Sequence, residues 1–145
     1  MLAAATAALL IAAGAPGGAV AEPVIGAELN TLATVDGNCR MTIVMTNGLD
    51  TAVDKLTLET VLFDADGTVI RFLLLAARPL PARRMRVQQF DVDRLACEEI
   101  GRVLLNDVTA CAGTGLDPQR CLGLVVPSSR AGVSFDAGVP AADQD

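Results

Sequence analysis

The 145-residue sequence predicts an all-β protein: an antiparallel β-sandwich of about seven strands with two disulfides. Three observations predict it. Apolar and polar residues alternate with a period of two in short runs, most cleanly where Cys39, Met41, Ile43 and Met45 oppose Arg40, Thr42 and Thr46. Clusters of Gly, Asn, Asp and Pro separate those runs. No long helical period and no internal repeat interrupts them, so one domain is expected, over residues 22–140.

Taken in order, residues 25–35 alternate around Leu29 and Thr31 and read as an edge strand. Asp36-Gly37-Asn38 turns the chain into the strand of residues 39–46, and Asn47-Gly48-Leu49-Asp50 closes it. A hairpin follows: residues 56–63, the turn Asp64-Ala65-Asp66-Gly67, and a return strand through Leu75. Asp and Gly supply the positive backbone angles that a tight reversal needs. Toward this turn both parities become apolar, which predicts strands covered on both faces or a bulge that shifts the register by one. Two prolines in Arg78-Pro79-Leu80-Pro81-Ala82 each lack a donor, so this segment is a crossover or an edge. Residues 83–92 resume as a strand. Residues 93–100 admit a short helical turn capped by Asp93. Residues 101–110, with Val103, Leu104, Leu105 and Val108, form a buried strand, residues 113–119 a Gly/Asp/Pro loop, and residues 122–126 and 132–135 the last strands.

Asn47 after a strand, the Phe63-Asp64-x-x-Gly67 turn followed by Val69-Ile70, and the Leu80-Pro81-Ala82 step into a strand ending at Phe90 resemble the bacterial FxLYD-type immunoglobulin-like domains. The resemblance covers residues 38–92 and implies a small extracytoplasmic immunoglobulin-like β-sandwich. Phe63 stands where that family usually has Tyr, and Ala82 where Gly often follows the Pro. The cysteine-bearing last third lies outside the resemblance, which therefore implies a fold and assigns no site.

Cys39, Cys97, Cys111 and Cys121 are an even set in a chain with an apparent export signal, so disulfides are expected. If residues 100–110 are extended at about 3.3 Å per residue, Cys97 and Cys111 stand tens of ångströms apart, whereas bonded cysteines keep their α-carbons within about 7 Å. Pairing Cys97 with Cys121 asks the segment after Cys111 to run back the whole strand, at or beyond its reach. Cys39–Cys97 and Cys111–Cys121 remain. The immunoglobulin-like topology implied by the resemblance places the starts of the Cys39 strand and of the strand after Cys97 at one end of the sandwich. The first bridge would then tie the two sheets, and the second would tether a surface loop. Structural zinc and redox dithiol chemistry are disfavoured, because no Cys-x-x-Cys occurs and His is absent. No metal or other cofactor is expected.

Catalytic chemistry finds little purchase. Without His the usual general base is missing, and no Gly-x-Ser-x-Gly or Ser-x-x-Lys motif is present. The paired carboxylates Glu98-Glu99, Asp91 with Asp93, and Asp64 with Asp66 are the remaining candidates for a hydrolase. Asp64-x-Asp66-Gly67 matches a fragment of a calcium loop but lacks the third ligand and the closing Glu, and reads as a β-turn. Arg78, Arg83, Arg84 and Arg86 are the densest basic cluster. On a strand, Arg84 and Arg86 share one face and Met85 and Val87 the other. That arginine face is expected to be solvated and edge-protecting, or else an anion-binding or partner-docking face.

Residues 1–21 read as a cleaved signal peptide: an Ala/Leu/Ile run to Ala13, a Gly/Pro break, and a small-residue cleavage site after Ala21. The run is shorter than the roughly 20 residues a spanning helix needs. No Lys or Arg precedes it, and a start upstream of Met1 would have to supply them. The net charge of −6 argues against nucleic acid and anionic membrane surfaces as partners. Residues 141–145 read as a solvated, disordered tail. The expectation is a periplasmic or secreted, non-enzymatic binding or accessory module of the bacterial envelope, whose partner is another envelope protein. The alternatives are a subunit of an obligate envelope assembly and a carboxylate-dependent hydrolase.

Overall fold

The computed structural model describes residues 11–18 and 22–138. The cleavage site after Ala21, most of the apolar run before it and the tail from Ala141 lie outside the described residues; residues 11–18 are exposed and carry no regular secondary structure. Eight strands follow: β1 (Ile25–Val35), β2 (Asn38–Asn47), β3 (Lys55–Phe63), β4 (Val69–Ala77), β5 (Met85–Val92), β6 (Arg102–Ala112), β7 (Val125–Ser129) and β8 (Ser134–Asp136). One 3-10 turn (Cys97–Glu99) precedes β6, and one short helix, α1 (Pro118–Leu124), precedes β7. The strands form two four-stranded sheets, ordered β5-β2-β1-β7 and β4-β3-β6-β8. The chain is an all-β sandwich, as its alternation predicts.

The core is the inner parity of each strand. Cys39, Met41, Ile43 and Met45 of β2 are all buried, with Ile25, Ala27 and Leu29 of β1 beside them. Leu56, Leu58 and Leu62 of β3 and Val103, Leu105 and Val108 of β6 supply the facing layer. Full burial of each such Leu, Ile, Val or Met contributes about 1.5–3 kcal/mol relative to exposure, which is what drives the two sheets together. Asp36 and Gly37, both at positive φ, make the two-residue turn that pairs Val35 with Asn38. In the hairpin turn Asp64 Oδ1 accepts from the backbone amides of Asp66 and Thr68, each at 2.9 Å, and Gly67 takes a positive φ. That carboxylate completes the turn rather than reaching toward an ion.

Both disulfides form as expected. Cys39–Cys97 joins the start of β2 to the 3-10 turn before β6, with α-carbons 4.9 Å apart, and Cys111–Cys121 joins the end of β6 to α1, at 6.4 Å. A fold closed by two disulfides belongs to an oxidising compartment, not the reducing cytosol. Among the described residues no helix is long and apolar enough to cross a membrane.

Four local expectations are corrected. β1 is an interior strand, because β7 pairs parallel with its first half, from Ile25↔Val125 to Leu29↔Ser129. β8 also pairs parallel, with β6, so the chain passes from one sheet to the other between β7 and β8. Residues 118–124 are helical: Asp117 caps the helix by accepting from the Arg120 amide, Pro118 sits in the first turn, and the helix carries Cys121 into full burial. The second disulfide therefore anchors a helix across the end of the sandwich and is no mere loop tether. Asp93 does not cap the turn before β6; Arg94 takes a positive φ there, and its amide donates to Asn38 Oδ1. Of the two alternatives for the hairpin, the bulge is correct, lying between the Leu62↔Arg71 and Phe63↔Val69 pairs. β4 itself is largely uncovered on its outer face.

Candidate functional site

The feature that stands apart from the core is the flank where β4 and β5, the edge strands of the two sheets, lie side by side. The chain crosses between them through the proline segment. Leu80 is buried and makes an isolated antiparallel bridge with Val53. Asn47, fully buried, holds this crossover in place. Its Nδ2 donates to the carbonyls of Thr51 (2.9 Å), Leu80 (3.0 Å) and Pro81 (3.2 Å), and its Oδ1 accepts from the Leu49 amide (2.9 Å). A buried amide with both ends satisfied fixes the exit from β2 and the entry to β5 in one step.

Gln88 closes the gap between the edges. Its Nε2 donates to the Ala76 carbonyl of β4 at 3.0 Å, and its Oε1 accepts from the Arg78 amide at 2.9 Å. Arg86 Nε donates to the Pro79 carbonyl (3.0 Å), and Arg71 Nη1 to the Asp93 carbonyl (3.1 Å). Polar side chains of inner parity on edge strands are a recognised device against uncontrolled sheet pairing.

The outer parity of the same two strands carries four exposed apolar residues, two on the outer face of each sheet, with Gln89 and Asp91 completing that of β5. Phe72 and Leu74 of β4 and Met85 and Val87 of β5 are 60–65% exposed, more than any other large apolar side chain of the described strands. Their backbone groups are unpaired as well. The Arg84 carbonyl accepts from the Asn47 amide, and the β2–β5 register runs without a shift from Cys39↔Val92 to Thr46↔Met85. Even-numbered residues of β5 therefore face β2, and the N–H and C=O groups of Met85, Val87, Gln89 and Asp91 point outward. By the same alternation, the Ala76 carbonyl that meets Gln88 marks Phe72 and Leu74 as the outward residues of β4.

Arg40 and Asp91 form a two-point ion pair across β2 and β5, Nε–Oδ1 2.7 Å and Nη2–Oδ2 3.0 Å. The hydrogen bond from Arg40 holds the Asp91 carboxyl below its ordinary range, and the Asp91 bond raises the Arg40 guanidinium. These two residues, with Arg78, Val87, Gln88 and Gln89, line an open cleft of about 540 Å³ that straddles the β5 edge. A second two-point pair, Arg102 with Asp136, ties β6 to β8, and the Arg102 guanidinium also lies 5.4 Å from the Phe63 ring centroid. Hydrogen bonding from Arg102 likewise depresses the Asp136 carboxyl.

The four arginines of the cluster are all exposed, and only Arg86 lies within β5. Arg83 lies before β5 at positive φ and pairs with Asp50, its Nη2 2.7 Å and its Nε 2.9 Å from Oδ1. Arg84 precedes the strand, Arg86 takes inner parity, and Arg78 sits at the cleft. Met85 and Val87 are the residues turned outward. Among the described residues the Arg78 and Arg84 side chains have no hydrogen-bond or ion-pair partner. The exposed apolar positions were missed in the sequence because the strand's register against β2, rather than its own alternation, decides which parity faces the core. The candidate carboxylates are dispersed. Asp91 is paired with Arg40, Asp64 is bound into its turn, and Glu99 Oε2 accepts from the Ala96 amide at 2.9 Å. No group of three or more His, Cys, Asp or Glu side chains suited to a metal ion occurs among the described residues.

Comparison of the chain with protein-family models, curated proteins and solved structures finds no match.

Proposed function

We propose that this chain is an exported, non-enzymatic binding or accessory module of the bacterial envelope, periplasmic or secreted, that engages another envelope protein through its β4/β5 flank. The observation that carries this reading is the β5 edge, where the outward apolar side chains of Met85 and Val87 adjoin unpaired backbone groups, while Phe72 and Leu74 leave the outer face of β4, the neighbouring edge strand of the other sheet, apolar and exposed as well. Exposed apolar surface concentrated in one place is a mark of an interaction site. The two disulfides favour an extracytoplasmic setting, and the resemblance of residues 38–92 to FxLYD-type immunoglobulin-like domains is consistent with it.

A photo-reactive amino acid placed at Phe72 or Val87, with Thr109 of β6 as a control, tests the reading in the host envelope. Cross-linking to one defined envelope protein from the flank and not from the control supports it. Equal labelling from all three positions, or no product from any, contradicts it. An obligate assembly would use the same surface, and the mass of the purified chain separates the two: a stable monomer is expected, because the buried core closes within one chain.

A further inference from the structure

Resting on the reading of the β4/β5 flank as the binding surface, we infer that β5 accepts an extended segment of the partner as an added strand, and that this segment alternates apolar with acidic residues.

Of the two edge strands on this flank, β5 is the better template. Its pairing with β2 is unshifted over the whole strand, so Met85, Val87, Gln89 and Asp91 offer four evenly spaced sets of outward donors and acceptors. The free stretch of β4 is short, bounded by the bulge near Val69 at one end and by Gln88 on the Ala76 carbonyl at the other. The cleft straddles the β5 edge, with Val87 on its wall.

Side-chain chemistry selects the occupant. A strand laid on β5 meets Met85 and Val87 on the outer face, which calls for apolar residues at every second position. It also meets Arg78 in the cleft and Arg84 at the strand's entry, whose guanidinium groups have no partner among the described residues. Arg86 spends only its Nε on the Pro79 carbonyl, which leaves its other donors available. These three arginines against the single cleft carboxylate, Asp91, already paired with Arg40, give the edge a local positive character in a chain of net charge −6. Carboxylates on the incoming strand complement it, whereas a second copy of β5 would bring Arg78 toward its own counterpart.

The test uses the oxidised, isotope-labelled protein and two synthetic nine-residue peptides, one alternating Val with Asp and the other Val with Lys. The Val/Asp peptide is expected to slow exchange and shift the resonances of the Met85, Val87 and Gln89 amides, and the Val/Lys peptide to leave them unchanged. Val87→Pro removes an outward N–H without touching the β2 ladder, so it should keep the fold and weaken binding at least about tenfold. Arg78→Glu with Arg84→Glu should weaken binding comparably, by about tenfold, while the fold again persists. Unprotected β5 amides at millimolar Val/Asp peptide, or equal binding of both peptides, overturn the inference. Protection that grows with protein concentration alone also overturns it, in favour of a second copy. Cross-linking from Val87 in the envelope that survives a negative peptide result would discard strand addition while keeping the binding module.

Discussion

Replacing Asn47 by Ala should destabilise the protein by about 2–4 kcal/mol, and the figure follows from which groups the amide alone satisfies. The Leu80 carbonyl also accepts from the Val53 amide, and the Pro81 carbonyl from the Arg84 amide, so both keep a partner. The Leu49 amide and the Thr51 carbonyl have their hydrogen bonds only with Asn47, and both are left orphaned at a partly buried site. Two such groups cost roughly 1–3 kcal/mol each, and partial burial keeps the sum toward the lower part of that range. Asn47→Asp is a sharper probe. The carboxylate keeps the acceptor for Leu49 but sets a second oxygen against three carbonyls, which raises its folded pKa above the unfolded value of about 3.9. With a raised acid pKa the protonated form is the one the fold tolerates. Stability of this variant should therefore be greatest below about pH 4 and fall as pH rises from there through the folded pKa. With no Trp or Tyr in the chain, urea unfolding followed by far-ultraviolet circular dichroism is the suitable assay. An Asn47→Ala variant within about 0.5 kcal/mol of the parent, or an Asn47→Asp variant with the parent's pH dependence, would refute the keystone role.

The two disulfides should differ. Separations of 58 and 10 residues give about 4.2 and 2.7 kcal/mol in the loop-entropy model; Cys39 and Cys121 are both fully buried, so each double Cys→Ala variant also loses packing and the gap should stay near about 1.5 kcal/mol. Denaturant midpoints of the two double variants check this, and a Cys111/Cys121 variant indistinguishable from the parent would contradict it. Gly101→Ala should cost about 2 kcal/mol or more, because the new Cβ would lie 2.6 Å from the backbone of Asp64 and Ala65, which cannot give way as a side chain would. A thermal melt reads the loss, and an unchanged midpoint would contradict the close approach. Because the Asp136 carboxyl is held below its ordinary range, its pair with Arg102 stabilises above about pH 4 and is lost as pH falls through the folded value. Asp136→Asn should therefore be weaker than the parent at pH 7, by less than about 1 kcal/mol given its exposure, and the difference should vanish once acid has protonated the carboxyl. A difference that persists in acid would assign the effect to packing.

What was legible in the sequence follows a physical line. Cys39, Met41, Ile43 and Met45 sit on one face because alternation in β2 left one consistent assignment, and Asp64 and Gly67 mark their turn, the one by its side-chain acceptor and the other by its positive φ. The disulfide pairing was reachable because an extended β6 separates Cys97 from Cys111. Long-range pairing defeated the rest. β1 becomes interior only because β7 returns alongside it, and a single sequence carries no mark of that partner. Met85 and Val87 face outward because Arg86 and Gln88 take the positions opposite Met45 and Ile43, where their polar ends reach the crossover and β4. The α1 helix was obscured by Leu122, Leu124, Val125 and Val126, an apolar run that reads as strand, although Asp117-Pro118 is an ordinary helix start.

Mass spectrometry of the unreduced protein isolated from the host envelope reads its N-terminus and its cross-linked peptides together. The account predicts a chain beginning at Glu22 with Cys39 joined to Cys97 and Cys111 joined to Cys121. Retention of Met1 with free thiols would contradict export into an oxidising compartment, and a Cys39 to Cys111 cross-link would contradict the sheet order on which the β5 edge depends.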